Sequence, residues 1–169
     1  MLKWLQDTYI YPRVARVYSS PLQRCLETAE ILFPDVPIQT VDNLIEMDFG
    51  TFEGKSTEEL IDRPEFKTWI KGGLECRPPE GESVQEVQLR IFKALREIIQ
   101  DMMTEDLLHC AVITHSGIIS NMLAGFGLPK IDAKELLCEP GEGFDILVTA
   151  QLWQRSQAFE ILGKTPYSE

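Results

Sequence analysis

A chain of 169 residues, 44% of them hydrophobic, has the apolar content for one core and too little length for a second domain to be expected. Its formal net charge of −11, with no dense Lys/Arg cluster, argues against nucleic acid as a partner and requires any anion-binding charge to be concentrated in a small enclosed site. No apolar run approaches the ~20 residues that cross a bilayer, and the cysteines (Cys25, Cys76, Cys110, Cys138) and the histidines (His109, His115) lack the spacing of a zinc site or C-x-x-C pair. No signal peptide is evident, so these thiols are expected to be reduced in a cytoplasmic protein, with Cys25 and Cys110 as plain core residues.

In chain order, the β-branched run Val14–Tyr18 predicts a buried strand. Ser20-Pro21-Leu22-Gln23 then reads as a helix start, with Ser20 as N-cap, Pro21 in the first helical position and Gln23 as capping-box partner. Leu22, Cys25, Leu26, Ala29, Leu32 and Phe33 give that helix one apolar face, and Pro34 ends it. Ile38–Val41 is a weak second strand. From about Glu46 to Gly81 the chain turns rich in Gly, Pro and charge around two short helices, Ser56–Ile61 and Pro64–Lys71; this stretch is read as an excursion over the active-site edge of a single domain spanning residues 1–169. Ser83-Val84-Gln85-Glu86 is a second capping box, and Val84, Val87, Ile91, Leu95, Ile98, Ile99 and Met102 form the stripe of a helix over Ser83–Met103. His109–Thr114 follows as a strand and Gly117–Ala124 as a short helix, with Ile146–Ala150 and Gln157–Leu162 as a closing antiparallel pair. Strands alternating with helices place the chain in the α/β class.

Two strand-to-helix junctions carry the chemistry. Ligands of open α/β sheets bind at the carboxyl ends of strands, where helix N-termini offer free N–H groups to an anion. Arg24 lies early in the first helix, and helical side chains lean toward the N-terminus, so its guanidinium fork is aimed back at the strand edge, a geometry suited to a phosphoryl group; the alternative is an exposed surface arginine. His115 stands between strand and helix, ahead of the Ser116 and Gly117 N–H groups, where function competes with a satisfied core histidine. His109 reads as structural or exposed. A third group is a carboxylate in Leu44-Ile45-Glu46-Met47-Asp48-Phe49-Gly50-Thr51-Phe52-Glu53-Gly54. An acid near phosphate has to be protonated or hydrogen-bonded, as a general acid is. Glu46, Asp48 and Glu53 all remain candidates.

Together, Ser19-Ser20-Pro21-Leu22-Gln23-Arg24 with Glu27-Thr28-Ala29, the Glu46 stretch, Pro78-Pro79-Glu80-Gly81-Glu82-Ser83 and Thr114-His115-Ser116-Gly117 resemble, in order, motifs of the histidine phosphatase (phosphoglycerate mutase-like) superfamily. The wording around Glu46 is most similar to the α-ribazole phosphatase and broad-specificity phosphatase branch. The resemblance implies a three-layer α/β/α sandwich with a mostly parallel mixed sheet. It also implies phosphomonoester hydrolysis through a phosphohistidine, with α-ribazole 5′-phosphate as an example substrate. In that scheme Arg24 holds the phosphoryl group, Glu46 is the proton donor, and His115 with the Ser116 N–H stabilises the equatorial oxygens. No metal or organic cofactor is implied. The expected partner is a small-molecule phosphoester or inorganic phosphate, not nucleic acid or a membrane, and a homodimer is left open.

The family's nucleophile lies in an Arg-His-Gly motif ending the first strand, next to the strand that carries His115. No histidine precedes Ser19 here, and Met1–Tyr9 resembles the end of the helix that follows that strand. The chain thus reads as a histidine phosphatase without its first strand. Alternatives are a non-catalytic phosphate-binding or interaction protein derived from that fold, a phosphoglycerate mutase, and an unrelated α/β binding domain that matches the motifs by coincidence.

Overall fold

The computed structural model describes Trp4 and residues 7–167. Most of the helix expected over Met1–Tyr9 therefore lies outside the described residues.

Three parallel strands form the ladder that positions the site. β1 (Arg16–Ser19) lies between β2 (Ile38–Thr40) and β3 (Cys110–Ile113), with Ser19 opposite Thr40 on one side and Ile113 on the other. All three strands therefore end at the same edge, and each hands the chain to one segment of interest. β1 leads into α1 (Gln23–Leu32), β2 into the Glu46 stretch, and β3 into α5 (Ser116–Phe126). Short β-branched and aromatic runs make these strands, and Val17 and Tyr18 are fully buried between the layers.

A second, mixed ladder holds the C-terminal part. β6 (Phe159–Thr165) pairs in parallel with β4 (Gly127–Leu128) and antiparallel with β5 (Gly143–Leu147). The expected antiparallel pair is present, but its first strand begins at Gly143 and ends at Leu147. Thr149 accepts the Leu152 N–H through its hydroxyl and starts a helix, α6 (Ala150–Ser156), where the sequence suggested continuing strand. The α/β class is as expected. The sheet is split among the described residues into these two three-stranded ladders.

The long helix α4 (Val84–Thr104) packs on both. Its capping box forms as read, with Ser83 and Glu86 each accepting the other's backbone N–H, and Val87, Ile91, Leu95, Ile98 and Ile99 bury its stripe with Tyr18, Ile118 and Phe159. The excursion carries α2 (Thr57–Leu60) and α3 (Pro64–Lys71), which close over a small cluster of Phe52, Leu60 and Phe66. Gly50 anchors this excursion. Its φ is +52°, and a Cβ there would lie 2.1 Å from the Pro79 carbonyl oxygen, so only glycine fits.

The first helix starts later than expected. Gln23 is its first residue, Leu22 is the N-cap without a side-chain bond, and the Gln23 amide donates to Glu27 instead of closing a capping box. Ser20 is released for another partner.

Candidate active site

At the shared edge, Arg24 and His115 meet. Arg24 Nη2 lies 3.1 Å from His115 Nδ1, bringing together the two junctions singled out in the sequence. The contact follows from the ladder. Ser19 and Ile113 are register partners and the Ser20 N–H donates to the Ile113 carbonyl at 2.9 Å, so the residues just past each strand are neighbours. His115 is the N-cap residue of α5, 6% exposed, and the N–H groups of Ser116 and Gly117, which no carbonyl of the helix can satisfy, open the first turn beside it. His109 is exposed at the entry to β3, where its carbonyl accepts the Ala15 N–H.

The three carboxylates separate cleanly. Asp48 Oδ1 accepts the Gly50 N–H at 2.8 Å and Glu53 Oε1 accepts the Phe49 N–H at 2.9 Å, so both are spent on folding the loop. Glu46 is the one turned to the ring, with Oε2 at 3.8 Å from His115 Nδ1 and Oε1 accepting the Met47 N–H at 2.9 Å. A Cβ on Gly117 would come within 3.2 Å of Glu46 Oε1, so the glycine opening α5 lets the carboxylate lie against the helix start. Thr114 ties the two segments, donating its hydroxyl to the Leu44 carbonyl at 2.7 Å.

Burial dominates the electrostatics. It pushes the Glu46 carboxyl above the ordinary glutamate range, against the Met47 N–H and the charges of Arg24 and Arg90, which pull it down. It lowers His115 to about 4, reinforced by the same two arginines. The ring is therefore neutral at pH 7, and its contact with Glu46 is not an ion pair. A half-buried carboxyl whose affinity for a proton is raised by burial, a neutral imidazole and a guanidinium fork form a set able to grip a phosphoryl group and to pass a proton to a leaving oxygen. Among the described residues no three His, Cys, Asp or Glu side chains converge as metal ligands do.

Three further residues shape this site that the sequence did not mark as site residues. Ser20, fully buried, places Oγ 2.9 Å from His115 Nε2. Cys25, expected as a plain core residue, packs its sulfur 3.6 Å from the same nitrogen. Arg90, on α4, uses every guanidinium nitrogen. It donates to the carbonyls of Asn43, Ile45 and Glu46 and forks onto both oxygens of Glu82, clamping the Glu46 segment from behind.

An α/β fold that gathers an arginine, a histidine and an acid at the carboxyl ends of adjacent parallel strands puts them where the ligands of such folds bind. The family model of the histidine phosphatase superfamily (branch 1) matches residues 3–140, and the chain belongs to that superfamily. Over 90 residues it is 37% identical to the bifunctional protein Rv2228c of Mycobacterium tuberculosis, a match covering 51% of this chain and 24% of that protein. The chain thus spans about a quarter of the length of that curated relative. The fold matches the crystal structure of the alpha-ribazole phosphatase from Shigella flexneri (TM-score 0.73, 19% identity, 96% of this chain and 78% of that one). It also matches that of a phosphoglycerate mutase from Thermus thermophilus (TM-score 0.63, 24% identity, 99% and 80%).

Proposed function

We propose that this site hydrolyses a small-molecule phosphomonoester by the two-step route of its superfamily, with α-ribazole 5′-phosphate as the leading substrate. The observation that carries this reading is the convergence of Arg24 on His115 at 3.1 Å with Glu46 3.8 Å from the same ring nitrogen. In this scheme Arg24 and the Ser116 N–H hold the phosphoryl oxygens, His115 stabilises them as negative charge develops, and Glu46 protonates the departing alkoxide. The choice of substrate rests on the alpha-ribazole phosphatase among the structural neighbours and on the sequence around Glu46. The mutase among those neighbours supports phosphoglycerate transfer as the competing chemistry. Free thiols at Cys25, Cys76, Cys110 and Cys138 support a cytoplasmic setting.

The nucleophile is the component this sequence does not supply. Of its two histidines, His109 is remote at the opposite end of β3, and both nitrogens of His115 are already engaged. In the proposed enzyme the attacking imidazole comes from an Arg-His-Gly segment. Titrating the 169-residue chain with inorganic phosphate tests the site itself, and Arg24→Ala is expected to weaken binding by roughly tenfold or more. Hydrolysis of α-ribazole 5′-phosphate should appear when an Arg-His-Gly-bearing segment is joined ahead of the chain. Phosphate binding that ignores Arg24→Ala would sink the reading. Binding without turnover in the extended chain would favour the phosphate-binding alternative.

A further inference from the structure

We propose that Ser20 is a positioning residue for His115: its buried hydroxyl, 2.9 Å from Nε2, holds the ring as the Nε2–H tautomer with Nδ1 turned to Arg24, so that an anion binds together with a proton taken up at Nδ1. The inference rests on the proposed phosphate site, and it concerns how that site is wired. A guanidinium has donors and no acceptor. Nδ1, at 3.1 Å from Arg24 Nη2, must therefore be the acceptor, and in a neutral ring the single proton then sits on Nε2. Ser20 Oγ is the acceptor for that proton. The turn holds the hydroxyl in place, since it also accepts the Leu22 N–H at 3.4 Å, and Ser20 is fully buried.

The surroundings leave Nδ1 as the titrating atom. Cys25 packs against the ring from α1, 3.6 Å from Nε2 and 3.9 Å from Nδ1, but its thiol is directed to the Thr114 carbonyl at 3.7 Å. The charged and titratable groups facing the ring are Arg24 from α1, Arg90 from α4 and the Glu46 carboxyl from the segment after β2. Burial and the two arginines hold the imidazolium off in the free protein. A bare Nδ1 lone pair repels an anionic oxygen. An anion seated on Arg24 beside the ring changes both conditions: it draws the guanidinium away from Nδ1 and offsets the arginine charge. Solvent then supplies one proton to Nδ1, which donates to the anion. No covalent bond between heavy atoms changes.

Sulfate is the probe, because it stays a dianion between about pH 5 and 8 and brings no proton of its own. Calorimetric titration of the full 169-residue chain in two buffers of different ionisation enthalpy is expected to show one proton taken up per sulfate. Sulfate affinity should fall up to about tenfold per pH unit as pH rises. Long-range 1H–15N spectra of His115 should show the Nε2–H tautomer in the free protein and both nitrogens protonated with sulfate bound. Ser20→Ala should mix the two neutral tautomers, and Ser20→Thr, which keeps the hydroxyl, should restore the single one. An Nδ1–H ring in the free wild-type protein overturns the proposal without any variant, so it stays testable even if Ser20→Ala fails to fold. An unchanged tautomer in folded Ser20→Ala overturns the role of Ser20, and sulfate binding without proton uptake overturns the coupling. If sulfate leaves His115 unperturbed while the Nε2–H tautomer is present, the phosphate-site reading fails and the positioning role of Ser20 stands.

Discussion

His115 and Glu46 lie 3.8 Å apart in surroundings that disfavour charge on both, which gives each a measurable signature. The histidine's folded pKa of about 4 is below the unfolded value of 6.5. The unfolded chain therefore binds the extra proton first as pH falls. Stability from this group is complete above pH 6.5 and is lost as pH drops from there toward 4. The loss should reach about 2 kcal/mol between denaturant titrations at about pH 7.5 and about pH 5, and His115→Gln should flatten the dependence. Glu46 has a different test. In an extended chain carrying Arg-His-Gly, Glu46→Gln is expected to slow esters with poor leaving groups by roughly 100-fold while sparing p-nitrophenyl phosphate, because only the poor leaving group needs its proton. Equal slowing of both would remove the acid role.

At the scale of elements, Arg90 is the residue on which the site's geometry hangs. It joins α4 to three carbonyls of the Glu46 segment and to Glu82, whose carboxylate also accepts the Asp48 N–H. Burial pushes the Glu82 pKa up, yet Arg90 and the Asp48 N–H outweigh it and hold the carboxyl below its ordinary value. Arg90→Leu leaves that carboxylate and the carbonyls without partners and should cost about 3–5 kcal/mol in chemical denaturation. Part of this stability is present above the ordinary glutamate pKa and disappears as pH falls through the lower folded value, so the wild-type and Arg90→Leu curves should converge in acid. Why Arg24, Glu46 and His115 could be singled out as candidates in the sequence, but neither Arg90 nor the partner of Ser20, follows from the range of their contacts. β1 and β3 are marked by local β-branched runs with helix signals after them, and the strand-end rule then brings Arg24 to His115. Glu46 could be separated from Asp48 and Glu53 only through the family resemblance, since the turn bonds that occupy the other two appear only once the loop is folded. Ser20 carries the local signature of an N-cap, and its actual partner is 95 positions away; Arg90 reaches carbonyls up to 47 positions back. The same local bias extended the strand through Ala150, where the Thr149 cap starts α6.

Across the whole molecule, the feature with the largest consequence is where the two ladders stop. Among the described residues β3 is paired on one side only, with β1, and all four of its residues, Cys110–Ile113, are half-buried where a strand inside a parallel sheet is normally covered on both faces. An apolar strand with a free row of N–H and C=O groups is a template for another strand. We expect the 169-residue chain on its own to self-associate through this edge, with a concentration-dependent mass in light scattering. A charge placed on the strand, Ala111→Lys, should return it to the monomer more effectively than a lysine at exposed Leu108 just ahead of it. An Arg-His-Gly-bearing segment joined ahead of the chain should have the same effect if it docks against β3, and it should slow the exchange of the Cys110–Ile113 amides. Both readouts depend on one contact, so they should move together. A monomer at all concentrations with β3 amides already protected would mean that the edge is covered by the chain itself, and the self-association prediction would fail. An extended chain that stays associated while gaining turnover would separate the two, placing the added segment at the catalytic edge but off the face of β3.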